Sequence, residues 1–326
     1  MKIIVDQNIP YLEALADVAD VTRAPAESID ARMVRDADAL VVRTRTRCDA
    51  ALLDGSRVRF IGSATIGMDH IDTAYCHRRG ITVRNAPGCN APAVAQWVYS
   101  AIFRHGGGTT IGVVGVGHVG SIVARWGEAL GLRVLLNDPP RAAAGDALPF
   151  VPLEQIADEA DIITFHTPLT RDGAYPTFHL CDEAFLRRAK GCRLLMNAAR
   201  GAIVDSHALL TCFDGDFALD CWENEPHPLP ELVERAVVAT PHIAGYSRQG
   251  KLRATAMILK EMNAFFGWQV PVPQADTPIT GAETVSAQAI VDSYDIDADS
   301  RRLKAAPERF EWLRNHYPLR PELPVS

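Results

Sequence analysis

Short apolar runs alternate along the chain with segments whose apolar residues recur at helical spacing. In the N-terminal third, the predicted strands are residues 3–5, 39–42, 60–62 and 81–83. The helical patterns between them cover residues 11–16, 49–53 and 69–79. Strands that alternate with helices are typical of a parallel sheet covered on both faces. The pattern therefore predicts a doubly wound α/β domain at the start of the chain.

A second series of the same kind follows the first along the chain. Its predicted strands are residues 111–114, 133–136, 162–165, 193–196, 217–219 and 237–239. We therefore predict two doubly wound parallel-sheet α/β domains of the Rossmann or flavodoxin-like type, plus a small C-terminal element. Ligands bind at the carboxyl ends of the strands in such sheets, so we expect the functional residues there.

Two helical segments set the predicted domain boundaries. Residues 92–103 form a predicted linking helix, and residues 249–266 form a long helix that returns the chain to the first domain. The predicted parts are a first domain of residues 1–99 with 246–267, a second domain of residues 100–245, and a C-terminal segment of residues 268–326. That segment begins with a proline-rich polar connector, and we interpret it as an accessory or oligomerisation element.

The charge balance excludes some classes of partner. The chain has 33 basic and 40 acidic side chains and a formal net charge of −7, which gives no attraction to nucleic acid or to an anionic membrane. The sequence contains no apolar run near the roughly 20 residues that a membrane span needs. The N-terminal residues MKIIVDQNIP are typical of a strand and a turn rather than of a signal peptide. We therefore expect a cytoplasmic location.

The cysteines do not form a recognisable framework. There are seven of them, with no C-x-x-C pair and no paired cysteine–histidine spacing. An odd number without such spacing argues against disulfides and structural zinc. We expect no metal site, and we interpret most cysteines as small core residues.

The segment from residue 111 to residue 138 has the pattern of a dinucleotide site. It consists of an apolar strand, the turn Gly115-x-Gly117-x-x-Gly120, an amphipathic helix, a second strand and Asp138. The first glycine permits the tight turn, the second lets the backbone approach a pyrophosphate, and the third allows close packing of helix on strand. An acid at Asp138 favours NAD over NADP, and Arg141 nearby weakens that preference slightly.

Three polar residues follow the later strands and match the needs of a hydride transfer. His242 is the candidate base for a hydroxyl proton, Glu225 would orient it, and Arg200 would bind a substrate carboxylate. Alternatives remain at this stage. Glu223 competes with Glu225 for the acidic role, and the alternatives to His242 are His166 and His179.

The chain also resembles a known family, the D-2-hydroxyacid dehydrogenases. The resemblance covers roughly residues 1–267 and rests on the segments GVGHVG, LLNDPPR, FHTPL, NAARGAIVD, WENEP and TPHIAGYS. It implies that Arg200, Glu225 and His242 are catalytic. The residues that it implies at the NAD site are Gly115, Gly117, His118, Val119, Gly120, Asp138, Thr167, Ala198, Ala199, Arg200, Asp220 and Gly245. The residues that it implies at the substrate are Thr44, Thr65 and Tyr246.

The front motifs, MKIIVDQNIPY, FIGSATIGMDHID and APGCNA, are similar to a branch of the family that oxidises a phosphorylated 2-hydroxy acid as a homodimer. Such a substrate needs cations besides Arg200, and Arg43, Arg45 and Arg47 are candidates, although each is more typical of a surface charge. The C-terminal segment is shorter than in that branch. Two other functions stay open, namely oxidation of another 2-hydroxy acid such as 3-phosphoglycerate, and binding of NAD(H) by a non-catalytic sensor.

Overall fold

The computed structural model describes residues 1–274 and 285–323. The strands of this part of the chain are β1 (Lys2–Asp6), β2 (Asp20–Ala24), β3 (Ala39–Val42), β4 (Phe60–Ser63), β5 (Thr82–Arg84), β6 (Thr110–Val114), β7 (Arg133–Asn137), β8 (Ile162–Phe165), β9 (Leu194–Asn197), β10 (Asp216–Leu219) and β11 (Val238–Ala239). Its α-helices are α1 (Ala31–Val34), α2 (Ala50–Leu53), α3 (Thr73–Arg78), α4 (Ala91–His105), α5 (His118–Ala129), α6 (Pro139–Ala143), α7 (Leu153–Glu159), α8 (Glu183–Arg188), α9 (Ser206–Cys212), α10 (Pro230–Arg235), α11 (Arg248–Phe266), α12 (Ala287–Ser293), α13 (Ile296–Ala305) and α14 (Phe310–Asn315).

These elements form two compact units. Of the described residues, the first unit contains 1–90 and 247–274, and the second contains 91–246 and 285–323. Each unit is built on its own parallel sheet with helices on both faces, so the predicted fold class is confirmed.

The first unit has a five-stranded sheet in the order β2-β1-β3-β4-β5. β3 and the core of β1 are buried on both faces, which requires fully apolar runs. These two strands were therefore predicted correctly from the sequence. The sequence pattern missed β2, which reads DVTRA and pairs with β1 at the edge of the sheet. An edge strand with polar, half-exposed residues lacks the apolar run on which the prediction depends.

The long helix α11 belongs to the first unit, as predicted. Its apolar side packs on the sheet, where Ile258, Leu259 and Met262 join the core that contains β1 and β3 residues. A Cβ atom on Gly62 in β4 would lie 2.5 Å from the Cγ2 of Ile258, so a glycine is needed for this close approach.

The second unit has a six-stranded sheet in the order β11-β10-β9-β8-β6-β7. The chain leaves β6 for β7 on one side and then crosses to β8 on the other side. The strand order therefore reverses between β6 and β8, and ligands of open α/β sheets bind at such a point.

The predicted boundary between residues 99 and 100 lies inside a helix. α4 runs from Ala91 to His105, and its residues are buried almost without a break as far as Ile102. The Trp97 indole donates to the Thr240 hydroxyl at 3.0 Å, and the Tyr99 hydroxyl donates to the Val123 carbonyl. The whole helix thus packs in the second unit, because its apolar surface covers that unit's sheet and α5.

The described part of the C-terminal segment also differs from the expectation of a separate element. Residues 285–323 pack into the second unit, with Ile290 and Tyr294 in the same core as α4. The Ser300 hydroxyl accepts a hydrogen bond from the Ala239 amide at 3.0 Å, which fastens α13 to β11. The proline-rich connector covers residues 270–281, and its residues 275–281 lie outside the described residues.

None of the helices in the described part of the chain has the length and apolar character that a bilayer span needs.

Candidate active site

The turn between β6 and α5 has the geometry of a pyrophosphate-binding loop. Gly115 has a φ of +87°, a left-handed conformation that favours glycine. A Cβ atom on Gly120 would lie 2.0 Å from the Gly115 carbonyl oxygen, so only glycine lets the helix pack this closely. Around Gly117, by contrast, an added Cβ would meet no atom within 4 Å. Gly115 and Gly120 thus occupy positions that require glycine, and the open space at Gly117 is compatible with the predicted approach of a pyrophosphate.

The start of α5 presents its backbone amides beside this turn. Gly117 is the N-cap of the helix, and both Gly117 and His118 are exposed, with Val119 half-buried behind them. Free N–H groups and the helix dipole favour an anion at such a position. The hydroxyl of Thr167, which follows the neighbouring strand β8, is buried and has no hydrogen-bond partner in the described structure. An open glycine face and an unsatisfied hydroxyl fit a bound dinucleotide.

Asp138 lies at the end of β7, next to the same turn. Its carboxylate accepts hydrogen bonds from the amides of Val116 at 2.8 Å and Arg141 at 3.2 Å. The Arg141 guanidinium donates to the Val116 carbonyl and pairs with Asp146. The acid is thus held beside the glycine turn, where the ribose of a dinucleotide is expected, and the nearby arginine is already neutralised by another acid.

The histidine and glutamate proposed from the sequence are in direct contact. The Nδ1 atom of His242 lies 2.7 Å from Oε2 of Glu225. An ionised carboxylate can only accept, so Nδ1 carries the proton of this bond and Nε2 is left as the basic nitrogen. The other oxygen of Glu225 accepts from the Trp222 amide at 2.8 Å. The carboxylate therefore fixes both the tautomer and the orientation of the imidazole.

Two opposing effects set the protonation of Glu225. Burial disfavours its charge, but the positive charges of His242 and Arg314 and the hydrogen bonds outweigh burial, so the pKa of Glu225 lies below its usual range. NH1 of Arg314 is 3.8 Å from Oε2 of Glu225. Glu225 is therefore ionised at neutral pH.

Hydrogen bonds to Asp220 hold the loop that carries His242. The Asp220 carboxylate, which is 1% exposed, accepts from the Thr240 hydroxyl at 2.6 Å and from the amides of Ile243 at 2.7 Å and Ala244 at 2.9 Å. His242 itself has a φ of +56°. The carboxylate of Asp220, one of the predicted cofactor contacts, thus holds the loop that carries His242.

Arg200 follows β9 at the adjacent strand end. Its backbone is fixed by the Asn197 side chain, which donates to the Arg200 carbonyl at 2.8 Å. The next residue, Gly201, lies so close to the Trp222 backbone that a Cβ atom would approach its carbonyl carbon to 1.9 Å. This contact joins the segment of Arg200 to the segment of Glu225. Ala198, Ala199 and Gly245, other predicted cofactor contacts, are half-buried.

The alternative histidines have different surroundings. His179 contacts Glu223, with Nε2 2.7 Å from Oε1, and its Nδ1 lies 3.4 Å from Asp205. Glu223 and Glu225 thus bind different histidines. Burial lowers the pKa of His166 to about 3, so His166 is a poor base near neutral pH.

The predicted substrate residues lie in both units. In the second unit, the Tyr246 hydroxyl accepts from Nε of Arg314 at 3.3 Å. In the first unit, Thr44 is exposed after β3, and the Thr65 hydroxyl is 2.7 Å from that of Ser63 after β4.

The three arginines that are candidates to bind a substrate phosphate have different surroundings. The Arg43 side chain is only 11% exposed and contacts the buried Asp6 at 2.8 Å, so the expectation of a surface charge is wrong for Arg43. Arg47 is 84% exposed and pairs with Asp49, as a surface charge does. Arg45 lies between them and is half-buried.

The sequence interpretation missed two arginines of the C-terminal segment. Arg314 reaches Glu225 and Tyr246, and Arg320 donates to the carbonyls of Ile243, Ala244 and Tyr246. Arg320 is 6% exposed. No local sequence motif predicts such contacts. The one weak signal of burial was that both arginines occur in a segment rich in aromatic and apolar residues.

One group in the described structure brings possible metal ligands together. Ligand atoms of Cys221, Glu225 and His242 all lie within 4.8 Å of one another. Burial raises the pKa of the Cys221 thiol well above its usual value, and the thiol donates to the Ala199 carbonyl. The ligand atoms of this group are thus engaged in hydrogen bonds within the protein, the thiol with the Ala199 carbonyl and the imidazole with the carboxylate.

Comparison with known proteins agrees with this geometry. The model of the NAD binding domain of D-isomer specific 2-hydroxyacid dehydrogenases matches residues 94–244. Erythronate-4-phosphate dehydrogenase of Bacteroides fragilis is 45% identical, with 99% of this chain and 97% of that protein covered. The enzyme of the same name from Edwardsiella ictaluri is 43% identical over 99% of this chain and 93% of its own length.

A solved structure has the same fold at lower identity. D-lactate dehydrogenase of Aquifex aeolicus, complexed with NAD and lactic acid, is 23% identical and superimposes with a TM-score of 0.67 over 82% of this chain and 96% of its own. The chain belongs to the D-isomer-specific 2-hydroxyacid dehydrogenase family. It is an NAD-dependent dehydrogenase, and this disfavours the interpretation as a non-catalytic sensor. The relatives at 40–45% identity are named erythronate-4-phosphate dehydrogenase.

Proposed function

We propose that this dehydrogenase oxidises 4-phospho-D-erythronate to 2-oxo-3-hydroxy-4-phosphobutanoate with NAD, a step of pyridoxal 5′-phosphate biosynthesis. The observation that carries the proposal is the contact of 2.7 Å between His242 and Glu225 beside a dinucleotide-binding turn. The substrate is inferred from the names of the relatives.

His242 is the proposed base. Its Nε2 accepts the proton of the substrate C2 hydroxyl, because Nδ1 is engaged by Glu225. The imidazolium that forms stays beside an ionised carboxylate, which lowers the energy of the charged state. NAD, when bound, supplies the acceptor for the hydride that leaves C2.

Arg200 is the proposed partner of the substrate carboxylate. A guanidinium binds a carboxylate through two parallel hydrogen bonds, and the same charge polarises the neighbouring C2–O bond. Its backbone is anchored through Asn197 and its neighbour Gly201 contacts Trp222, which favours a fixed direction of approach. Tyr246, Thr44 and Thr65 are the further proposed substrate contacts.

The proposed NAD site consists of the β6–α5 turn and the ends of the following strands. The pyrophosphate binds at Gly117, His118, Val119 and the neighbouring glycines, and the adenosine ribose binds at Asp138. Thr167 supplies the buried hydroxyl, and backbone groups from Ala198 to Arg200 and at Gly245 complete the site. Asp220, which holds the loop that carries His242, is the further proposed cofactor contact.

The test is NADH formation from NAD and 4-phospho-D-erythronate, with 3-phosphoglycerate and D-lactate as parallel substrates. We expect the erythronate ester to have the highest kcat/KM, and the His242→Ala variant to be inactive. A preference for 3-phosphoglycerate or D-lactate would contradict the substrate and keep the reaction class. Activity in the His242→Ala variant would contradict the proposed base.

The proposal includes a homodimer located in the cytoplasm, both implied by the family resemblance. The exposed Trp312, with 48% of its surface accessible, is a candidate for burial between protomers. Light scattering after size-exclusion chromatography gives the mass, and a monomer at micromolar concentration would contradict the dimer.

A further inference from the structure

Arg314 brings a buried positive charge to the histidine–glutamate pair. It lies in α14, and its side chain is 10% exposed. Its Nε donates to the Tyr246 hydroxyl at 3.3 Å, and its NH1 is 3.8 Å from Oε2 of Glu225. Burial opposes the charge, but Tyr246 and Glu225 outweigh burial and raise the pKa of Arg314. The guanidinium is therefore charged throughout the pH range of activity.

The two cations that stabilise ionised Glu225 act at different times. His242 carries a charge only after it has accepted a proton, whereas the charge of Arg314 is permanent. Before the reaction His242 must be neutral, so its charge is absent when Glu225 has to be ionised. A buried carboxylate without a nearby cation tends to keep a proton, because burial disfavours the charged form.

We propose that Arg314 is a positioning residue that keeps Glu225 ionised while His242 is neutral, and that it thereby sets the lower limit of the pH range for hydroxy acid oxidation. The inference rests on the proposed roles of His242 and Glu225. It assigns to the C-terminal segment a part in the chemistry, because α14 belongs to that segment.

The other ionisable groups around the pair do not replace this charge. These groups are Asp220, Cys221, Arg200 and Tyr246, with Glu311 facing Arg314. Burial raises the pKa of the Cys221 thiol and of the Asp220 carboxyl, so neither supplies a positive charge. Tyr246 and Glu311 have no cationic form, and Arg200 is proposed to bind the substrate.

The test compares three variants with the wild type. Arg314→Gln removes the charge, Arg314→Lys keeps it, and Arg309→Gln is the control, because Arg309 stacks on Trp312 at 3.9 Å in the same segment. For Arg314→Gln we expect kcat/KM to fall about tenfold at about pH 6.5 and at most about threefold at about pH 9. Arg314→Lys should restore the wild-type ratio of kcat/KM at the lower pH to kcat/KM at the higher pH. Arg309→Gln should match the wild type at both pH values.

A uniform loss at both pH values in Arg314→Gln, or no loss, would overturn the inference. Fluorescence titration with NADH shows whether each variant retains the cofactor site. Wild-type protein that oxidises no hydroxy acid would instead contradict the proposed function, and the inference then depends on a titration that needs no turnover.

That titration follows the ring ¹⁵N shifts of His242, assigned by their loss in His242→Ala. We expect the proton shared by the pair to be lost at higher pH in Arg314→Gln than in the wild type. Equal titration curves in the two proteins would contradict the inference whether or not the substrate assignment holds.

Discussion

Two histidine–glutamate pairs lie in the second unit, and their glutamates are two residues apart. Both pairs have a nitrogen–oxygen distance of 2.7 Å. His179 faces acids on both ring nitrogens, with Glu223 on Nε2 and Asp205 near Nδ1. His242 binds its acid through Nδ1, which leaves Nε2 for a ligand. The hydrogen-bond length therefore does not distinguish the two histidines. What distinguishes them is whether a ring nitrogen remains that no acid engages, as Nε2 of His242 does.

The surroundings of the two carboxylates differ as well. Arg314 lies 3.8 Å from Oε2 of Glu225, the same oxygen that contacts His242. The second oxygen of Glu223, by contrast, accepts from the Ser206 amide at 2.9 Å, at the start of α9. The first arrangement is suited to stabilise a charge in the proposed proton transfer, and the second joins neighbouring segments of the backbone. The comparison predicts that changes in one pair reduce activity and that changes in the other reduce stability.

The largest effect is expected for His242→Ala. We expect kcat/KM for hydroxy acid oxidation to fall about 10³-fold or more, because general acid–base groups contribute about 10²–10⁴-fold. The affinity for NADH should change little. Steady-state kinetics and NADH fluorescence measure both quantities. A loss below about tenfold would show that another group takes the proton.

Glu225→Gln should cause the next largest loss. The amide can still accept from Nδ1 but adds no negative charge to stabilise the imidazolium, so we expect kcat to fall about 10²-fold. Glu223→Gln is the matched control and should stay within about threefold of the wild type. Equal losses in the two variants would remove the distinction between the pairs.

His179→Ala should reduce stability rather than activity. It leaves one oxygen of a mostly buried carboxylate without its partner, which costs about 1–3 kcal/mol of unfolding free energy. Urea unfolding followed by tryptophan fluorescence measures this change. An unchanged unfolding midpoint together with lost turnover would mean that His179, rather than His242, takes part in the chemistry.

The smallest effect is expected for Asp205→Asn. The His179–Asp205 contact of 3.4 Å is weak, and asparagine can replace aspartate as the N-cap of α9. We expect a loss of at most about 0.5 kcal/mol in the same urea experiment. A loss above about 2 kcal/mol would mean that Asp205 shares the binding of His179 equally with Glu223.

The sequence predicted the parts of the fold that have a local signature. The buried strands and the glycine turn were predicted because their residues must be apolar or must lack a side chain. The edge strand β2 was not predicted, because its polar residues form no apolar run. The unit to which α4 belongs was not predicted either, because a helix that is buried on all sides does not reveal which sheet it contacts.

The candidate site divides in the same way. His242 and Glu225 follow strand ends, so the topology predicts that they are close. The choice between Glu223 and Glu225 depended on side-chain direction within one loop, which spacing does not encode. Arg314 and Arg320 depend on contacts with residues 68 or more positions earlier, and those contacts have no local pattern.

Arg320 also bears on the order in which the protein folds during synthesis. It donates to the carbonyls of Ile243 and Ala244, which precede it by 77 and 76 residues. At the roughly 5–20 residues per second of translation, several seconds separate the synthesis of the loop from that of the arginine. The strands of both sheets are complete before Arg320 is made, and until then those carbonyls lack this partner. The loop with the proposed base therefore acquires its full set of native hydrogen bonds only after the C-terminal segment has been made.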